Sequence, residues 1–138
     1  MPLELSRDAA STAGVLLLSL LAVEWGGTFV LRVAAGGVPA TDVQRRLYRA
    51  GHAHAAVLVT LGLVTVLLTD AAGLTGPAAT VACSGVPAAA ILMSAGFFLA
   101  AAGRQRTSPR RSGLVVLALG ALCLSAAVAT LGIGLLRA

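Results

Sequence analysis

One carboxylate and two imidazoles interrupt stretches that are otherwise apolar. Glu24 lies in Leu20-Leu21-Ala22-Val23-Glu24-Trp25-Gly26-Gly27-Thr28, and the histidines lie in Arg49-Ala50-Gly51-His52-Ala53-His54-Ala55. A glutamate exchanges a proton or holds a cation. A histidine titrates between about pH 5 and 8 and ligates transition metals through a neutral ring nitrogen. Placing a charged side chain at the centre of a bilayer costs roughly 2.5 kcal/mol or more, so such a residue marks a functional site by default. Three chemistries fit the set. It is a Glu–His hydrogen bond that fixes helix packing, a site for proton- or cation-coupled transport or conduction, or a metal or haem site.

Residues two apart on a helix point about 200° away from each other. His52 and His54 therefore face different ways. His52 continues the stripe Arg45, Arg49 and is expected to face the cytoplasm or the headgroups. His54 continues Val43, Leu47 and Ala50, runs on to Val57 and Leu61, and is expected to face inward. Folding the first two apolar segments about Val38-Pro39-Ala40 pairs residues whose numbers sum to roughly 78 to 80, at equal rise on both helices. Glu24 then falls level with residues 54–56, which makes His54 its expected partner. Glu24 shares its face with Leu17, Leu20, Gly27, Thr28 and Leu31, and Gly27 would admit close approach of the second helix.

The roles that follow are Glu24 as proton or cation acceptor, His54 as its partner, His52 as a cytoplasmic-side relay and Thr28 as a secondary ligand. A metal would draw on Glu24, His54 and His52. One glutamate and two histidines are too few for a closed metal shell unless an oligomer or a cofactor completes it. Two histidines on one helix do not make a bis-histidine haem within a hairpin. Arg32 lies ~12 Å from Glu24 along the axis, level with Tyr48. Arg32, Arg45, Arg49 and Tyr48 read as interfacial residues, Arg32 with a snorkelling side chain. No Ser-His-Asp set, CxxC, phosphate loop or metalloprotease helix is present, so the sequence makes no strong case for an enzyme.

The elements that position these residues are long and apolar. Of 138 residues, 58% are hydrophobic and only 11% charged, with a mean hydropathy of +0.95. A soluble domain is about a quarter charged. A bilayer crossing takes about 20 apolar residues, and the chain offers four such segments, 11–34, 47–69, 77–102 and 113–136. The expected fold is all-α, a polytopic integral membrane four-helix bundle in a single domain. Gly36, Gly37 and Pro39 end the first segment. Thr41-Asp42-Val43-Gln44 is a capping box that starts the second helix, whose first two turns protrude from the hydrocarbon. Thr75 or Gly76 caps the third, with Pro77 near its first turn. Pro87 lies inside the third and is expected to kink it. The start, Met1 to Asp8, lacks a basic leader, so the first segment reads as retained rather than cleaved.

All ten basic residues are arginines. Arg32, Arg45, Arg46, Arg49, Arg104, Arg106, Arg110 and Arg111 flank the loops after the first and third segments, and only Arg7 and Arg137 lie on the other side. The positive-inside rule then places both arginine loops in the cytoplasm and both termini outside, in a bacterial inner membrane crossed several times. The arginines are expected to contact the lipid bilayer and its anionic headgroups, with no nucleic acid as partner. Cys83 and Cys123 differ in depth by ~15 Å, too far for a bridge. Small residues run along the third helix (Ala88 to Ala90, Gly96, Ala100, Gly103) and the fourth (Gly120, Ala121, Ser125, Thr130, Gly134). They suit either tight packing within the chain or a homo-oligomer interface.

The stretch from Val23-Glu24-Trp25-Gly26-Gly27 to Arg49-Ala50-Gly51-His52-Ala53-His54-Ala55 resembles a group of uncharacterised small four-helix actinobacterial membrane proteins. That resemblance covers the first half of the chain, implies an integral membrane fold and supplies no activity. Glu24 is also similar to the central glutamate in the first span of the small multidrug resistance transporters, four-helix proteins that are shorter than this chain. This sequence departs from them in its arginine bias and its histidines. Arg49 and His52 resemble the arginine–histidine patterns of haem-copper oxidase main subunits, which have far more than four spans. The expected function is a small membrane protein with an intramembrane Glu/His site for proton- or cation-coupled transport or conduction. The alternatives are a metal- or haem-binding membrane subunit and a non-catalytic assembly partner of a larger membrane complex.

Overall fold

The computed structural model describes residues 5–137. Met1–Glu4, part of the leader reading above, lie outside the described residues. The chain forms four α-helices, α1 (Arg7–Ala34), α2 (Asp42–Ala71), α3 (Gly76–Ala101) and α4 (Arg111–Leu135), each long and apolar enough to cross a membrane.

Helix ends follow the local chemistry. Thr41 Oγ1 accepts from Gln44 N while Gln44 Oε1 accepts from Thr41 N, so the capping box closes in both directions. Gly36 takes a positive φ of 78° after α1, and Gly36 N and Gly37 N donate to the carbonyls of Val33 and Arg32. These two bonds satisfy carbonyls that the helix end would otherwise orphan. Gly73 does the same for α2, with Gly73 N and Leu74 N donating to Asp70 and Thr69. Thr75 caps α3 through backbone geometry alone, with Pro77 in the first turn. Helix α3 continues through Pro87, whose ring packs near Gly62 of α2.

The helices pack in chain order, α1 on α2, α2 on α3, α3 on α4. The α3–α4 pair is the closest. A Cβ on Gly96 would lie 2.7 Å from Leu117 N, and one on Gly120 would lie 2.6 Å from Met93 Cγ. The small residues Gly96, Ala100 and Gly120 are thereby used inside the chain. Helix α1 rests on α2 alone to any extent, and buries only Ala9, Ala13, Leu16 and Val33. The central packing comes from Leu16, Leu58, Val59, Val66, Ala90 and Met93. Outside it, large apolar side chains point away from the protein, among them Leu18, Leu21, Trp25, Leu31, Ile91 and Leu122. A surface of this kind suits hydrocarbon as its solvent.

Candidate functional site

Helices α1 and α2 meet at the levels the hairpin geometry predicts. Gly27 faces His52, and the rings of Phe29 and Tyr48 pack edge-on with centroids 5.1 Å apart. The residue numbers of both pairs sum to within a few of the expected value. The rotation of α2 differs from the expectation. His52, not His54, is the histidine against α1. A Cβ on Gly27 would sit 3.2 Å from both Cε1 and Nε2 of the His52 ring, so the glycine leaves the space the imidazole occupies.

His54 turns to α3. Its ring centroid lies 4.8 Å from that of Phe97, and its Nδ1 bonds the Ala50 carbonyl at 2.8 Å. A carbonyl can only accept, so Nδ1 is the donor in this bond. The expected Glu24–His54 partnership is therefore not formed, because the two histidines face the two different neighbours of α2. The stripe Arg45, Arg49, His52 is real, and it runs along α1. Arg45 and Arg49 line a groove of about 170 Å³ with Val30, Val33 and Ala34.

Glu24 is exposed. It precedes Gly27 by three residues, about 60° around α1 and ~4.5 Å along it. It also lies ~15 Å from the end of α1 at Ala34, at 1.5 Å per residue. Its neighbours Leu17, Trp25 and Leu31 are exposed as well, Trp25 to 79%. Among the described residues the one ion pair is Arg45 with Asp42, at 2.6 Å, so Glu24 is bridged to neither histidine. Thr28 donates its hydroxyl to the Trp25 carbonyl at 2.7 Å, which leaves only its oxygen lone pairs for a ligand. Among the described residues, no three side chains of His, Cys, Asp and Glu converge as a metal site.

Of the residues expected at the interface, Arg32, Arg45 and Arg49 are exposed, with Arg32 in the last turn of α1. Arg45 is held by Asp42 and by the Ala40 carbonyl. Tyr48 is half-buried and sits between Phe29 and Phe98, with centroid separations of 5.1 and 5.7 Å. It is a packing residue that joins α1, α2 and α3.

Two polar features were not anticipated. Gln44 is buried, and beyond its capping role its Nε2 donates to the carbonyls of Ala101 and Gly103 at 2.9 and 2.8 Å. Thr41 Oγ1 donates to the Arg106 carbonyl. The α1–α2 and α3–α4 connections, both flanked by or bearing arginines, are thus stitched together at the start of α2. The T-x-x-Q spacing signalled the cap, but nothing in it points to α3. At the opposite end, Ser6, Asp8, Thr69, Asp70, Thr80 and Cys83 line a cleft of about 260 Å³, and Asp70 accepts from Ser6 N at 3.0 Å. Cys83 and Cys123 are both free thiols.

No family model matches the chain, and no curated protein or solved structure matches it either.

Proposed function

We propose that this chain is a four-span integral membrane protein of a bacterial inner membrane, with its arginine loops in the cytoplasm and both termini outside. Its function is exchange of a proton or small cation at Glu24 along the α1–α2 edge. The observation that carries the reading is an exposed carboxylate deep within an apolar helix, one turn from the glycine that seats an imidazole. An ionised carboxylate in hydrocarbon is costly, so in contact with lipid Glu24 holds a proton or a cation. His52 is the acceptor of that proton on the same edge, its ring nitrogen seated at Gly27 one turn from Glu24. Transfer leaves a carboxylate and an imidazolium, whose opposite charges offset one another. Arg49 and Arg45 continue the same stripe toward the cytoplasmic headgroups. His52 thus takes the role expected of His54 as well as its own as relay, and His54 is a packing residue against Phe97.

The test is proton flux into liposomes containing the purified protein, driven by a potassium diffusion potential and read by an internal pH dye. Wild type is expected to exceed empty liposomes. Glu24→Gln is expected to reduce the flux more than tenfold and His52→Gln severalfold, while His54→Gln retains most of it. Flux unchanged in Glu24→Gln would overturn the reading. A stoichiometric metal or a haem absorption band in the purified protein, lost in His52→Gln, would replace it with the metal-centre alternative.

A further inference from the structure

We infer that a second copy of this chain covers the exposed edge of α1, and that Glu24 of each copy meets His52 of the other. The inference rests on the membrane-spanning reading above and requires no proton flux.

The uncovered edges of the helix row differ in kind. The outer face of α4 exposes Leu114, Val115, Leu119, Leu122 and Ile133. Lipid covers such a face well, so nothing there calls for a protein partner. The glycines at which α3 and α4 approach most closely, Gly96, Gly113 and Gly120, are already used between those two helices. The α1 edge is the one that lipid covers badly. It exposes Glu24 at depth, and among the described residues the carboxylate has no ion-pair partner.

That edge is complementary to itself. It carries an acid, Glu24, and beside it a base, the half-buried His52 ring seated at Gly27. Along α1 the two levels differ by ~4.5 Å, which the three side-chain torsions of a glutamate can span. A two-fold axis places the same patch of both copies face to face, so that each acid meets the other copy's base. The arginine bias orients every copy alike, so the axis must run along the bilayer normal. Such an axis preserves depth, and Glu24 of one copy stays within a turn of His52 of the other. Leu21 and Trp25, exposed to 63% and 79%, supply apolar contact beside the pair.

The experiment uses the full chain with Cys83→Ala and Cys123→Ala, labelled through Ser108→Cys with donor or acceptor dye. The two populations are mixed in phosphatidylcholine–phosphatidylglycerol liposomes at rising lipid-to-protein ratios. Energy transfer is expected to fall on dilution as a monomer–dimer equilibrium. Glu24→Gln and His52→Gln should each weaken association at least tenfold, and the double variant no more than either alone, because both remove one contact. In the same cysteine-free background without the label, Leu21→Cys should form a disulfide dimer on oxidation and Leu119→Cys should not. Absence of transfer at the highest density would overturn the inference. So would association insensitive to both Glu24→Gln and His52→Gln, or a crosslink through Leu119→Cys in place of Leu21→Cys. Dimers without proton flux would sink the exchange reading and leave this one standing. Flux from a monomer would do the reverse.

Discussion

Helices α3 and α4 are locked together through glycines, while α1 leans on α2 through side chains, with His52 at Gly27, Tyr48 on Phe29 and Leu16 near Gly62. In the first pair, backbone meets backbone and the absent side chains have nowhere to go. In the second, the space next to Gly27 is filled by the tip of a long side chain. Apart from Arg111 at the start of α4, the first pair carries no charged residue. The second carries Glu24, His52, Arg49 and Arg45 along its length. The half of the molecule that bears Glu24 and both histidines is the half left open, and the tight half is the platform against which it is held.

The sharpest way to break this contrast is to wedge the tight pair. Gly96→Leu would drive a Cβ to within 2.7 Å of Leu117 N and 2.8 Å of Leu117 Cα. Main chain cannot step aside as a side chain does. Overpacking of this kind costs about 1–3 kcal/mol and occasionally more, and the backbone contact puts the expectation at the upper end, about 3 kcal/mol. Unfolding in mixed detergent micelles should show it as a lowered midpoint. An unaltered midpoint would mean that α3 and α4 are not tightly joined.

Next in size is Gln44. Gln44→Leu leaves the Ala101 and Gly103 carbonyls without the donor they share, and the Thr41 amide without its acceptor. A buried polar group stripped of its partner costs about 1–3 kcal/mol, so a loss of about 2 kcal/mol is expected. The arginine loop between α3 and α4 should also become more open to trypsin, because it is tied to α2 through Thr41 and Gln44. Stability lost without faster cleavage would confine Gln44 to its capping role.

These two regions also divide what the sequence makes legible. Hydropathy marks the four helices, and glycine and proline mark their ends, because both signals are local. The depth of Gly27 against His52 follows from counting back from a short loop, since both helices rise at the same rate. Rotation is another matter. Helix α2 lies between α1 and α3, and two histidines about 200° apart send one ring to each neighbour. Which ring meets which helix depends on the handedness of the packing. The stripe through His54 is mostly apolar and that through Arg45, Arg49 and His52 is polar, which separates an inner from an outer face but does not say which helix each face meets. Gln44 was legible as a cap because its partner is three residues away. Its bonds to Ala101 and Gly103 span 57 and 59 residues and leave no trace in spacing.

Gly27→Ala has the smallest expected effect on stability and is the most informative about the open half. Replacing glycine by alanine inside a helix gains about 1 kcal/mol of intrinsic propensity. Against that, the new methyl would sit 3.2 Å from Cε1 and Nε2 of His52, closer than most contacts allow. The imidazole is the mobile end of its side chain and can swing away, so the two effects nearly cancel. A net change within about 1 kcal/mol of wild type is expected, as the propensity gain sets its scale. The ring, however, leaves the place from which both proposals have it meet a carboxylate, so proton flux and copy-to-copy association should both fall severalfold. That separation of function from stability is what a loosely built site on a rigid platform requires. A stability loss comparable to that of Gly96→Leu would mean that α1 and α2 are as rigidly fitted as α3 and α4, and the contrast between the two halves would collapse.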